Sequence, residues 1–344
     1  MKIKLHFDDI IYQLQNVGGI SIYWKELISR ISKGEDFQIQ HTKGSKIARY
    51  LPVYTNAQVF HSSYYRKPIT KGTKNVVTVH DFAYELGFLN TLNQGINIWQ
   101  TKLAINSADA IVCVSQNTKK DLLQIYPHLI NHPNIHVISH GTPLPFYETF
   151  NHNASDKILK LVKDNLKQYV LFVGKRNQYK NFVGSIESFA TSCLPKNGFS
   201  LFCIGSKFSD SEKNFIHRLG LKDNVIALEN TTNSDLIYLY RNAFALVYPS
   251  LYEGLGLPPH EAMIYGCPVI ASTTSSIPEV VGDAGILTEP HDIKARASAL
   301  EKLLCDETRN SYISKGFARA KLFSWDKAAQ KYIEIYKSLV TENR

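Results

Sequence analysis

Tyr248-Pro249-Ser250-Leu251-Tyr252-Glu253-Gly254-Leu255-Gly256-Leu257-Pro258-Pro259-His260-Glu261-Ala262-Met263 is the stretch that decides the fold. A short unalternating apolar run at 244–248 precedes it and reads as a strand covered on both faces. The chain then passes a Gly-rich loop and enters a helix at Pro258 or Pro259, where a missing N–H costs little. Strand, glycine loop and helix in that order are one step of a parallel α/β sheet. Free amides near residues 254–257 and the positive helix start suit hydroxyl or phosphate oxygens. Glu253 and Glu261, with seven residues between them, can accept hydrogen bonds from a polyol. A plainer reading is equally open, in which Glu261 offsets the helix dipole and Glu253 is a loop acid.

The same pattern extends outward. Runs at 2–7, 76–80, 110–115 and 135–139 read as strands in the first half, and runs at 169–174, 199–205, 224–228, 244–248 and 269–272 in the second. Helix signals lie between them. Ser21 is placed to cap 22–31, Ser209 and Glu212 form a capping box ahead of 215–219, and 292–304 is periodic. With 344 residues, about two domains are expected. The loop Gly141-Thr142-Pro143-Leu144-Pro145 and the polar run after it place a linker near 142–166.

Composition narrows the class. Apolar residues at 44% and charged residues at 20% exclude disorder and coiled coil. No stretch approaches the ~20 apolar residues that cross a bilayer. Met1-Lys2-Ile3-Lys4-Leu5 runs into a strand without a signal-peptide pattern, so the expectation is a cytoplasmic protein. Five scattered cysteines without a C-x-x-C pair read as small apolar residues in a reducing compartment. The net charge of +9 favours anionic partners: nucleic acid, an acidic membrane surface or phosphate-bearing small molecules.

Three further segments carry chemistry. Gly174-Lys175-Arg176-Asn177-Gln178-Tyr179-Lys180-Asn181 sets cations at the carboxyl end of a strand, which suits a diphosphate or a solvated basic turn. Gly18-Gly19 follows the first strand and lets a backbone approach phosphate closely, or simply turns the chain. His80 ends a strand, where it can contact a sugar hydroxyl or serve the core. G-x-G-x-x-G, G-K-[ST], D-x-D, H-E-x-x-H and G-x-S-x-G are all absent, against dinucleotide oxidoreductases, P-loop enzymes, metalloenzymes and serine hydrolases. His128, His132 and His136 recur at intervals of four, but Pro127 and Pro133 interrupt any continuous helix there.

Together these segments resemble the retaining glycosyltransferases of family 4, whose GT-B fold has two Rossmann-like, doubly wound domains facing a cleft. The likeness spans nearly the whole chain and is most specific over Pro249–Pro258, Glu261-Ala262-Met263 and Gly266-Cys267-Pro268-Val269-Ile270-Ala271. Among members it looks most like bacterial mannosyltransferases, through Val79-His80-Asp81 and Tyr179-Lys180-Asn181. The resemblance implies an N-terminal acceptor-side domain at 1–150 and a nucleotide-sugar domain at 151–322. A C-terminal helix at 323–344 would return to the first. Glu253 would contact the transferred sugar and Glu261 the nucleotide ribose. Lys175 and Lys180, assisted by Arg176, would neutralise the donor diphosphate. Gly254, Leu255 and Gly256 would offer amides to sugar hydroxyls. Gly18 and Gly19 would approach the diphosphate, and His80 would meet the donor sugar. The family commonly carries arginine where Lys175 stands, and Asn-Gly where His140-Gly141 stands.

The implied activity needs no metal and no cofactor beyond the nucleotide-sugar donor, with a hexose passed to a glycan or lipid-linked acceptor. GDP-mannose is the first donor expected, in surface polysaccharide synthesis. A GT-B sugar-nucleotide 2-epimerase and a non-catalytic donor-binding subunit of a glycan assembly complex are the alternatives. Lys43, Lys46, Arg49, Tyr64-Tyr65-Arg66-Lys67, Lys71 and Lys74 form basic–aromatic loops suited to peripheral contact with an anionic membrane, or a solvated basic face. No nucleic-acid recognition motif accompanies them.

Overall fold

The computed structural model describes residues 2–15, 18–142, 154–164, 168–176 and 178–341. The chain divides into two compact units, Met1–Pro143 with Phe323–Arg344, and Leu144–Leu322. Each unit is built on a six-stranded, all-parallel sheet with flanking helices. The first sheet contains β1 (Ile3–Asp8), β2 (Phe37–Thr42), β3 (Val59–Ser62), β4 (Lys74–Val79), β5 (Ala110–Cys113) and β6 (Ile135–Val137), in the order β2-β1-β3-β4-β5-β6. The second contains β7 (Tyr169–Val173), β8 (Ser200–Ile204), β9 (Val225–Leu228), β10 (Ala245–Tyr248), β11 (Val269–Ser272) and β12 (Gly285–Thr288), in the order β12-β11-β10-β7-β8-β9. Strand order reverses once in each sheet, between β1 and β3 and between β7 and β10. In open α/β sheets, ligands bind beyond the carboxyl ends of the strands at such reversals.

All nine expected strands form, within two residues at each end. The expectation lacked β2, β3 and β12. β2 and β12 are sheet edges, where one side of the strand meets solvent and the apolar run breaks up. β3 is short and carries buried His61, which reads as polar. Its ring nitrogens bond Tyr336 Oη at 2.6 Å and Thr78 Oγ1 at 2.9 Å. Thr78 in turn meets Tyr332 Oη at 2.8 Å, and Tyr332 pairs with Tyr23. This buried polar ladder fastens the C-terminal helix Trp325–Thr341 to β3, β4 and the helix Gly19–Ile31 of the same unit.

Two local readings are corrected. The first long helix begins at Gly19, and Ser21 donates to the Gly18 carbonyl at 2.9 Å instead of capping. The extended backbone of Gly18 starts the helix a turn early. Residues 143–153 and 165–166 of the expected linker lie outside the described residues, while Asp156–Asp164 within it is helical and buries Ile158. The Ser209–Glu212 capping box forms as expected, opening the helix Asp210–Arg218. Asp292 caps Ile293–Lys302. Cys113, Cys203 and Cys267 are buried free thiols; Cys305 is exposed.

Candidate functional site

The site grows from the reversal between β7 and β10. After β7 the backbone turns at Gly174 (φ 142°), passes a short 3-10 turn, Gln178–Lys180, and reaches Asn181 in the left-handed region. Asn181 caps the helix Phe182–Thr191 through Gly184 N at 3.2 Å, and its amide donates to Pro290 O at 2.6 Å. Buried Arg296 donates to the same carbonyl and to Gly184 O, so this turn is braced from beneath. Lys180 therefore leaves a fixed backbone.

After β10 the loop is held from the neighbouring strand end. Ser272 and Thr274 donate to Ser250 O, and Ser275 and Ser276 donate to Glu253 O at 2.6 and 2.9 Å. Leu251 N donates to Tyr179 O at 2.7 Å, tying the two loops together. Gly256, at φ 86°, opens the helix Leu257–Ile264, where a side chain would strain the backbone. Pro258 and Pro259 sit in its first turn, as the sequence reading expects.

These backbones bring two expected residues together. Lys180 Nζ lies 2.6 and 2.7 Å from the two carboxylate oxygens of Glu253. The Lys180 side chain is 16% exposed and that of Glu253 10%, so the pair is drawn from bulk water but still reachable. Tyr248 completes the group: its hydroxyl donates to Glu253 Oε1, and Lys180 Nζ lies 3.5 Å from it. Burial pushes the Tyr248 phenol well up and the Glu253 charge pushes it further, so it stays a proton donor. The Lys180 ammonium also rests 5.0 Å from the ring centroid of Tyr179. Glu261 is nearly buried and accepts from Tyr240 Oη at 3.1 Å. Tyr240 and Tyr248 were not singled out from sequence. Tyr248 ends β10 and Tyr240 lies in the helix Asn233–Asn242; both rings are buried, and only the direction of each hydroxyl reveals its contact with an acid.

The cations after β7 separate. Lys175 is exposed and makes no ion pair among the described residues. Arg176 is engaged within its own unit. Its Nε donates to Glu212 at 2.8 Å, its Nη2 donates to the Ser206 and Lys207 carbonyls, and its guanidinium lies over the Phe182 and Phe208 rings. Its charge is already neutralised, and it staples β7's loop to the helix Asp210–Arg218.

Gly18, Gly19 and His80 belong to the first unit. A Cβ on Gly19 would meet nothing within 4 Å, so its backbone is open to approach. His80 follows β4 with Tyr23 edge-on at 4.7 Å between centroids. Its Nε2 is sealed and has no hydrogen-bond partner among the described residues, and burial with His140 nearby lowers its pKa to about 3. It is therefore a neutral imidazole. His140 stacks on Trp325 at 4.5 Å, and a Cβ on Gly141 would lie 3.2 Å from Phe323 O. That segment serves the docking of the C-terminal helix. Among the described residues no cluster of His, Cys, Asp and Glu is arranged to hold a metal.

The family now follows. Residues 154–319 match the family description "Glycosyl transferases group 1", and residues 17–144 match "Glycosyltransferase Family 4". The chain belongs to the family 4 glycosyltransferases. It is 31% identical over 245 residues to the O-antigen chain mannosyltransferase B of Escherichia coli, covering 69% of this chain and 62% of that protein. It is 28% identical over 258 residues to the O-antigen chain mannosyltransferase RfbU of Salmonella typhimurium, covering 74% and 67%. Its fold is similar to that of sucrose-phosphate synthase from Thermosynechococcus elongatus, with TM-score 0.76 and 17% identity over 99% of this chain and 100% of that one. The fold class is GT-B, as the sequence resemblance implied.

Proposed function

We propose that this chain is a metal-independent, retaining hexosyltransferase that takes mannose from GDP-mannose and passes it to a glycan or lipid-linked acceptor in surface polysaccharide synthesis. The observation that carries the reading is the Lys180–Glu253–Tyr248 group at the β7/β10 reversal. The mannosyl part draws its support from the two O-antigen relatives. A diphosphate approaching Lys180 competes with Glu253 for the ammonium and leaves that carboxylate to accept a sugar hydroxyl. Exposed Lys175 adds a second positive charge, and Glu261 accepts from the ribose.

In the reaction, the bond from the anomeric carbon to the diphosphate oxygen breaks. The acceptor oxygen forms its bond on the same face, and its proton passes to the departing phosphate. Fixed positive charge stabilises that leaving group, and the carboxylate stabilises the oxocarbenium-like sugar. Neutral His80 is assigned to a sugar hydroxyl, and the amides of Gly254, Leu255 and Gly256 to others. The protein would work in the cytoplasm, at the inner face of the membrane.

A panel of nucleotide sugars in calorimetry, followed by nuclear magnetic resonance of the product's anomeric centre, tests this. GDP-mannose binding above UDP-sugars, with an α-linked product, is expected. An inverted product or a strict metal requirement overturns the mechanism. Donor binding without transfer to any acceptor favours the assembly subunit, and turnover of donor alone to its epimer favours the epimerase.

A further inference from the structure

Glu229 is given no partner by the fold. It stands at the carboxyl end of β9, an outer strand of the second sheet, directly after Leu228. Its side chain is half-buried, yet it forms no hydrogen bond or ion pair among the described residues. A carboxylate partly withdrawn from water with nothing to bond is a cost that a ligand's donors would remove.

Strand register places Glu229 on the same crest as the Lys180 turn. Val173, Ile204 and Leu228 are in line across β7, β8 and β9. The residues that follow them are Gly174, Gly205 and Glu229. With neighbouring strands ~4.8 Å apart, Glu229 lies about 10 Å along the crest from Gly174, where the Lys180 turn begins. The stretch between them bears little side-chain bulk. A Cβ on Gly174 would meet nothing within 4 Å, and one on Gly205 would meet only Arg176 Nη1 at 3.2 Å and Gly174 O at 3.4 Å. Arg176 is already paired with Glu212 and does not serve Glu229.

The opposite direction is closed. Beyond β10 the crest is covered by residues 272–276, whose hydroxyls bond the Ser250 and Glu253 carbonyls. A nucleotide whose diphosphate meets Lys180 therefore extends its base toward β9. The place of Glu261, assigned to the ribose, agrees with this. It accepts from Tyr240 on the helix Asn233–Asn242, which leads out of the loop that Glu229 begins.

The chemistry of the bases then selects one of them. Guanine presents two adjacent donors, N1–H and the 2-amino group, which match the two oxygens of a single carboxylate. Uracil presents one N–H between two carbonyl oxygens, and those oxygens repel a carboxylate. We infer that Glu229 is the base-selecting residue of the donor site, accepting both N1–H and the 2-amino group of guanine. The inference rests on the proposed use of a guanosine diphosphate sugar and names the side chain that enforces it.

The test is calorimetry of the full chain with GDP, UDP and inosine diphosphate, which keeps N1–H and lacks the 2-amino group. Wild type should bind GDP about tenfold or more tighter than either of the others. Glu229→Gln keeps the shape but turns an amide N–H toward the guanine donors. It should weaken GDP about tenfold or more, change UDP less than about twofold, and leave GDP and inosine diphosphate bound alike. Glu229→Ala should give the same loss of preference. Lys180→Ala, by contrast, should weaken all three nucleotides together, because it meets the diphosphate. Unchanged circular dichroism and Tm would show that the variants are folded. A GDP preference that survives both Glu229 variants overturns the inference and leaves the guanosine donor standing. Equal weakening of GDP and UDP by those variants also overturns it, by making Glu229 a structural residue. A wild type that prefers UDP overturns the inference and the guanosine donor together.

Discussion

The two sheets reverse strand order at one point each, and the sequence treats the two points oppositely. At the β1/β3 reversal, Asp8 is completely buried. Its carboxylate accepts from Ser63 N at 2.6 Å, from the Ser63 and Ser62 hydroxyls at 2.9 and 3.1 Å, and faces Arg66 at 3.5 Å. Arg66 also donates to Leu51 O. Every oxygen is used and water is excluded. At the β7/β10 reversal, the corresponding charges, Lys180 and Glu253, remain partly accessible, with the Tyr248 phenol bonded to the carboxylate and the Tyr179 ring beside the ammonium. The same topology thus makes a structural clamp in one unit and a reachable charged group in the other. What separates them is whether neighbouring side chains fill the crevice.

Breaking the second point should cost chemistry and spare the fold. Lys180→Ala and Glu253→Ala should each lower kcat by about 10³-fold, with Tm within a few degrees of wild type, in steady-state assays and calorimetry. Wild-type turnover in both would remove the assigned roles. Breaking the first point should do the reverse. Asp8→Ala should destabilise by about 3 kcal/mol in urea unfolding, because Arg66 is left buried and uncompensated, while donor affinity in the surviving folded fraction is unchanged.

Tyr248→Phe sharpens the comparison at smaller cost. It removes one hydrogen bond to Glu253 without emptying volume, and should reduce kcat about tenfold with KM nearly constant. A loss confined to KM would make the phenol a donor contact and not a positioning residue.

The smallest effect is in acid. Burial holds His61 well below 6.5 and His80 at about 3. Unfolded, both take up protons near 6.5, so the unfolded state binds more protons between about pH 6.5 and 3. Stability of the first unit is therefore present above 6.5 and declines as pH falls through that window. Asp8, raised by its burial, works in the opposite sense in the carboxylate range. Thermal melts from pH 7 toward 4 should show the decline, and His80→Gln should flatten it.

Much was legible from local pattern. The unalternating apolar runs became strands because both sheet faces are covered. Ser209 and Glu212 formed their box because a cap needs only four consecutive residues. The chain from Tyr248 to Met263 reads correctly because glycine at the helix start and proline in its first turn are requirements of single residues. β2 escaped because Phe37-Gln38-Ile39-Gln40-His41-Thr42 is largely polar, and β12 because Gly285-Ile286-Leu287-Thr288 offers only two large apolar residues.

By itself the sequence determined the parallel α/β architecture, the acid pair and the cations after β7. These rest on periodicity, on backbone conformations that few residues adopt, and on charge type. Tertiary structure alone decided which cation serves which acid. Lys180 turns to Glu253 while Arg176, four residues earlier, is drawn to Glu212 and two phenylalanine rings. It also decided that Tyr248 points its hydroxyl at a carboxylate. Those outcomes depend on strands and loops far apart in the chain arriving side by side, and side-chain direction there is fixed by long-range packing that no local pattern encodes.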